Sequence, residues 1–505
     1  MTDSNPSTSS TPSTSSTPRP SSTTQHVLPL PTGELHYTAI AAWQPLYERE
    51  KPIAEIFHVA YLTDHQGSSP RPLTFVFNGG PGAASAYLHM GALGPKRVEF
   101  GEQGTLPKPP VKVVDNLESW LSFTDLVFID PVGTGFSRAV SPEQENGKDK
   151  ADDKAKADKP EEKETEFWEV ERDLKALAEF IQTFLSKQNR WLSPVFIAGE
   201  SYGGFRVAKL ARKLQQDFGV GLSGAILISP VLEFSLLEGT DYNLTSWAAV
   251  LPSMAGSAAH HQRAKLAGEN LPAHLAAAET FARKTLIPLL AMGDTLSSEE
   301  RQQAYQQIAD LIGLPVDLIT RQGGRIGIEV FARELLRDQQ RIVGFYDASI
   351  TAIDPFPDRP LYEGTDPTLD GLDRLFTGAI NSHLRGTLGV ETNLPYHLLN
   401  FETFKAWKFE LKGGLKQGFI GAVDDLRIGM TLNPYMQVYI THGLFDLVTP
   451  YFASNHLADL MKLDPEVRPN LTIRHYKGGH MFYTWQASRQ EWFAEMTQFY
   501  EQAIE

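Results

Sequence analysis

A serine flanked by glycines, Gly199-Glu200-Ser201-Tyr202-Gly203, follows the apolar run Pro194-Val195-Phe196-Ile197-Ala198 and precedes the helix-like run Phe205-Arg206-Val207-Ala208-Lys209-Leu210. Between a strand and a helix this pattern is a nucleophile elbow, a turn so sharp that only glycine fits beside the serine. A serine hydroxyl attacks an acyl carbon only when a base takes its proton, and that base is usually a histidine oriented by a carboxylate. The expected chain order is Ser, Asp, His, each just past a core strand. Asp446 follows the apolar run Met436-Gln437-Val438-Tyr439-Ile440, and His480 follows Leu471-Thr472-Ile473-Arg474-His475-Tyr476 on a glycine-rich loop. Alone, each is an ordinary loop residue; in this order behind an elbow they read as a catalytic triad, Ser201, Asp446 and His480. His442 also follows a core strand and is the second choice for the base, while His475 lies within a strand and reads as structural. An oxyanion needs two converging backbone N–H groups, one from Tyr202 and one from the loop Asn78-Gly79-Gly80-Pro81-Gly82 after the strand Leu73-Thr74-Phe75-Val76-Phe77.

The elements that would position these residues form strand-then-helix units. The runs 73–77, Leu126-Val127-Phe128-Ile129-Asp130, 194–198 and Gly224-Ala225-Ile226-Leu227-Ile228 are almost wholly apolar, as strands covered on both faces must be. Before them, Leu35–Ile40 and Ile53–Tyr61 read as consecutive antiparallel strands, and Phe167–Gln188 as an amphipathic helix. The expected fold is α/β, an α/β-hydrolase with a mostly parallel sheet. Its core is discontinuous, at 27–240 and 432–505. An Ala-rich helical cap is inserted at 241–431, with helices expected at His274–Leu290 and Ser298–Ile312. Residues 1–26 are Ser, Thr and Pro-rich and read as a disordered tail. The Lys, Asp and Glu-rich run 142–166 reads as a solvated insertion.

Composition narrows the function. The chain has 505 residues, 41% hydrophobic and 21% charged, with a formal charge of −15. That balance suits a large globular core and argues against nucleic acid or anionic membrane as partner. There is no cysteine, which excludes disulfides, thiolate catalysis and Cys-ligated zinc. No apolar run approaches the ~20 residues of a membrane span. No secretory signal is read in the first residues, so a cytoplasmic location is expected, with export as the alternative. No metal or organic cofactor is expected.

Four motifs together resemble the serine carboxypeptidases of the carboxypeptidase Y and cathepsin A family: Asn78-Gly79-Gly80-Pro81-Gly82, Asp130-Pro131-Val132-Gly133-Thr134-Gly135-Phe136-Ser137, Gly199-Glu200-Ser201-Tyr202-Gly203-Gly204 and Gly478-Gly479-His480-Met481. They span nearly the whole chain. The lack of Cys and the stretch Leu444–Pro450 look like the bacterial branch. The resemblance implies an exopeptidase that releases the last residue of peptides with a free C-terminus. It implies Gly80 and Tyr202 as oxyanion donors and Asn78, Gly79 and Glu200 as holders of the substrate carboxylate. Two carboxylates facing each other in a dry site cannot both ionise, so Glu200 should carry a raised pKa. The chain departs from the family at Val76 (often Trp), Ala83 (Cys) and Ala92 (a second glutamate, before Leu93-Gly94-Pro95). The last departure predicts weaker carboxylate recognition and a pH optimum nearer neutral. The rival readings are an esterase or acyltransferase on the same triad, and a binding protein that keeps the fold without catalysis.

Overall fold

The computed structural model describes residues 19–64, 67, 69–140, 165–237, 239–265, 270–359, 362–409 and 420–505. Most of the charged run 142–166 therefore lies outside the described residues, as does most of the proposed tail. A ten-stranded sheet organises the molecule. Its main strands are β1 (Ser22–Leu30), β2 (Gly33–Glu48), β3 (Lys51–Thr63), β4 (Leu73–Phe77), β5 (Asp125–Ile129), β6 (Val195–Glu200), β7 (Gly224–Ile228), β8 (Gln437–Gly443) and β9 (Leu471–Tyr476). Their order is β1-β2-β3-β5-β4-β6-β7-β8-β9, with Arg138–Ala139 pairing on β3 off this path. The first pairings, through β3 and β5, are antiparallel; from β5 to β9 every pairing is parallel. Strands β4, β5, β6 and β7 are buried at every position, which explains their unbroken apolar character.

Two helical layers cover the sheet. On one face α1 (Val170–Lys187) buries Leu174, Leu177, Ile181 and Phe184, and it shares a core with α2 (Tyr202–Asp217) and β4. The other face is covered by the C-terminal helix α9 (Gln486–Ile504) through Trp492, Met496, Phe499 and Tyr500, with Trp120 against Trp492.

Two boundaries differ from the sequence reading. Strand β1 begins at Ser22 and pairs with β2 from Ser22↔Ala41 to Leu30↔Gly33, so part of the segment read as disordered tail is an edge strand. Its hydroxyl-rich residues alternate between half-buried and exposed. Threonine is a good strand former, and a polar edge discourages further pairing; low hydrophobicity there marks an edge, not a lack of order. The insertion 241–431 is also not one lobe. Helices α3 (Thr245–His260), α4 (Leu271–Phe281) and α5 (Ser298–Ile312) build a third core with Leu447 and with Tyr451 and Phe452 of α8 (Tyr451–Leu460). Helix α6 (Leu369–Ser382) instead sends Leu372, Leu375, Phe376 and Ile380 into the core under α9. Helix α7 (Val423–Leu432) returns to the opposite face, where Leu426 and Met430 join the α1–α2 core. A two-stranded ribbon, Arg341–Val343 with Thr351–Ile353, lies within the insertion.

Candidate active site

The elbow is built as its glycines demand. β6 ends at Glu200, Ser201 takes φ 60° and ψ −122°, and α2 starts at Tyr202. A positive φ at a non-glycine residue is strained and persists only where its surroundings enforce it. Here the enforcement is crowding: a Cβ on Gly199 would stand 2.3 Å from the Gly203 carbonyl oxygen, and one on Gly203 would stand 2.6 Å from the Phe77 oxygen. The Ser201 N–H donates to the Ile228 carbonyl at 2.9 Å, tying the elbow to the end of β7.

Asp446 and His480 come together from the loops after β8 and β9, with His480 Nδ1 2.7 Å from Asp446 Oδ2 and both residues buried. Asp446 Oδ1 accepts from the N–H groups of Val448 at 2.8 Å and Thr449 at 3.0 Å. These bonds aim Oδ2 at the imidazole, fix the proton on Nδ1 and leave Nε2 as the basic nitrogen. Burial pulls the imidazole down, but the charge and hydrogen bond of Asp446 and the charge of Glu200 outweigh it and raise its pKa overall. Hydrogen bonds link this pair to the elbow. Ser229, one residue beyond Ile228, donates its hydroxyl to the His480 carbonyl at 2.8 Å, and its own carbonyl accepts from the Thr449 hydroxyl at 2.9 Å. Tyr346, from the insertion, closes the far side: its carbonyl accepts from the His480 N–H at 2.5 Å, and its ring stands edge-on to the imidazole at 5.2 Å.

His442 is engaged elsewhere. Its Nδ1 faces the Thr449 carbonyl at 3.1 Å and its Nε2 the Ser454 hydroxyl at 2.7 Å, so it props the Asp446 loop. Burial, with the charges of His475 and His480, holds it neutral, well below the usual histidine range. His475 pairs with Asn455 at 3.0 Å and packs on Tyr451.

The loop 78–82 lies over the start of α2. A Cβ on Gly79 would stand 2.5 Å from the Tyr202 nitrogen, and Gly80 has φ 96°. What pins this loop was not visible in sequence. Arg206, one turn into α2, donates to the Asn78 carbonyl at 2.7 Å and binds Asp173 of α1 through two nitrogens at 2.7 and 3.2 Å. Both side chains are buried. Burial raises the Asp173 pKa, and Arg206 opposes that rise. Removing one partner of such a pair strands the other's charge. Arg206→Ala is therefore expected to lower unfolding free energy by about 3–5 kcal/mol, read by denaturant titration.

Glu200, buried directly before the nucleophile, accepts from Asn78 Nδ2 at 2.5 Å, while Asn78 Oδ1 accepts from the Leu88 N–H at 3.0 Å. Burial pushes the Glu200 carboxyl up to about 7 against the lowering influence of His480, Tyr483 and Asn78. Ala92 lies buried in the turn 89–93. Among the described residues no cluster of three or more His, Asp or Glu could hold a metal ion, and no helix is long and apolar enough to cross a membrane.

The sheet order, the strained turn between β6 and α2, and the loops after β8 and β9 make this an α/β-hydrolase fold. The structure of a prohormone-processing carboxypeptidase from Saccharomyces cerevisiae shares it, with a TM-score of 0.52 over 92% of each chain at 16% identity. More particularly, residues 48–235, which carry the elbow, match the family model described as serine carboxypeptidase. Among characterised proteins the chain is similar to serine carboxypeptidase-like 13 of Arabidopsis thaliana, 26% identical over 36% of this chain and 38% of that one. It is also similar to serine carboxypeptidase-like 45 of the same plant, 32% identical over 35% and 32% of the two chains. A third is the pheromone-processing carboxypeptidase KEX1 of Yarrowia lipolytica, 27% identical over 31% and 21%. The chain spans about a third of the length of the first of these relatives.

Proposed function

We propose that this protein is a serine-type carboxypeptidase that releases the last amino acid of peptides through an acyl-enzyme on Ser201. His480 Nε2 takes the Ser201 proton as the hydroxyl oxygen bonds to the scissile carbonyl carbon. The N–H groups of Gly80 and Tyr202 hold the resulting oxyanion. His480, now an imidazolium stabilised by Asp446, gives its proton to the departing amino group. Water then cleaves the ester by the same steps in reverse roles. The observation that carries the reading is the buried Glu200–Asn78 pair immediately before the nucleophile. An esterase has no use for a buried carboxyl there, whereas a protonated Glu200 can donate to a substrate carboxylate that Asn78 and Gly79 also hold.

The test compares a blocked dipeptide with its amide and its ester. Release of free amino acid from the dipeptide supports the reading; turnover of the ester alone makes the protein an esterase. Lack of labelling by a fluorophosphonate would make it a non-catalytic binder. The pH dependence carries a sign. Toward acid, kcat/KM should fall on both substrates as His480, its pKa raised, gains a proton and can no longer act as base. Toward alkali, it should fall on the dipeptide alone as Glu200 ionises near 7 and repels the substrate carboxylate. A dipeptide optimum below about 5, or the same alkaline limb on both substrates, would overturn this assignment of Glu200.

A further inference from the structure

The turn 89–93 offers Glu200 no second carboxyl, because Ala92 stands where serine carboxypeptidases place one. A different side chain occupies the space beside it. Tyr483, three residues past His480, is fully buried, and its ring lies so close to this turn that a Cβ on Gly91 would stand 2.8 Å from its Cε2. Trp492 of α9 stacks behind the ring at 6.1 Å, and the Tyr483 carbonyl accepts from Arg489 at 3.2 Å. The ring is thus held on both sides. Its hydroxyl and Oε1 of Glu200, the oxygen that Asn78 does not reach, are both buried and have no hydrogen-bond partner among the described residues other than one another. Each group lies in the other's field. The remaining neighbours are committed. Asp446 is bound to His480, the Tyr87 hydroxyl donates to Asp373 at 2.6 Å, and Tyr87 and Tyr346 act on Glu200 through charge alone.

We infer that Tyr483 is the positioning residue for Glu200, its phenol serving Oε1 as the neutral partner that replaces a second carboxyl on the turn at Ala92. The inference rests on the carboxypeptidase reading for its role in substrate binding, but the contact itself does not. A neutral donor differs from an acid in its consequence. Two carboxyls must share a proton, and their repulsion holds one of them protonated. A phenol instead stabilises the Glu200 anion by donating to it, so it opposes burial and limits how far the Glu200 pKa rises.

The decisive measurement is made on the full-length enzyme by infrared titration of the protonated-carboxyl band that Glu200→Gln removes. Tyr483→Phe should move its midpoint up by about one pH unit. On the blocked dipeptide the alkaline limb of kcat/KM should move by the same amount, with the ester profile as reference. Gly91→Ala, which must displace the ring, should shift the midpoint in the same direction and provides a second route should Tyr483→Phe fail to fold. An unchanged midpoint in a folded variant overturns the proposal. A wild-type enzyme that cleaves the ester but not the dipeptide overturns the carboxypeptidase reading instead, and the infrared midpoint still decides whether Tyr483 serves Glu200.

Discussion

Ser201→Ala is expected to lower kcat by about 10⁴–10⁶-fold on peptide and ester alike, with KM close to that of the parent. The reason lies in the turn. Ser201 projects from a backbone held at φ 60° by Gly199 and Gly203, and among the described residues no other hydroxyl is presented by that turn. Ser229, also at positive φ with φ 42°, is the nearest imitation, but its hydroxyl is already spent on the His480 carbonyl at 2.8 Å. Alanine keeps the turn and the substrate-holding groups, so binding survives and only bond formation is lost. Steady-state kinetics on freshly purified variant, with fluorophosphonate labelling as a check on contaminating activity, reads the effect. Retention of a tenth of the parental kcat would remove Ser201 from the mechanism.

Asp446→Asn should cost about 10⁴-fold in kcat with little change in fold. The hydrogen bonds explain why this small change is severe. Oδ1 accepts from Val448 and Thr449 N–H groups at 2.8 and 3.0 Å, so an asparagine keeps its carbonyl oxygen there and turns its NH₂ toward His480. The NH₂ must then donate to Nδ1, which moves the imidazole proton onto Nε2, the atom proposed to accept the Ser201 proton. The substitution replaces a base with a donor without moving an atom. Kinetics alongside thermal unfolding separates this from damage to the loop: kcat should collapse while the melting temperature stays near the parental one. If kcat stays within tenfold, the base is not oriented by residue 446.

How much of this arrangement could be read in advance depends on the range of the interaction. Ser201 announces itself because the elbow needs its glycines within a few residues. Asp446 and His480 could be singled out because each follows an apolar run that only a core strand explains. The groups that fix their geometry leave no such trace. Thr449 bridges the Asp446 loop to Ser229, and Arg206 joins α1, α2 and the Asn78 carbonyl. A threonine after a loop aspartate or an arginine in a helix is ordinary until the fold brings its partner across. Tyr483 is hidden for another reason. In a run as aromatic as Met481-Phe482-Tyr483-Thr484-Trp485, a phenol reads as core, and only the placement of its oxygen gives it a polar task. The polar strand β1 and the divided insertion escape a reading by composition, which reports how apolar a segment is, not which surface receives it.

The path of that insertion has a consequence for how the scaffold tolerates exchange of its parts. Its first helices form their own core, whereas α6 and α7 are wedged into opposite faces of the sheet. A lobe tethered at one point can be exchanged wholesale between relatives; a segment stitched through both sides of the scaffold cannot be cut out without baring apolar surface on each. Grafting of residues 241–431 from a relative should therefore produce insoluble chains, while exchange of the α3–α5 portion alone remains open to recombination.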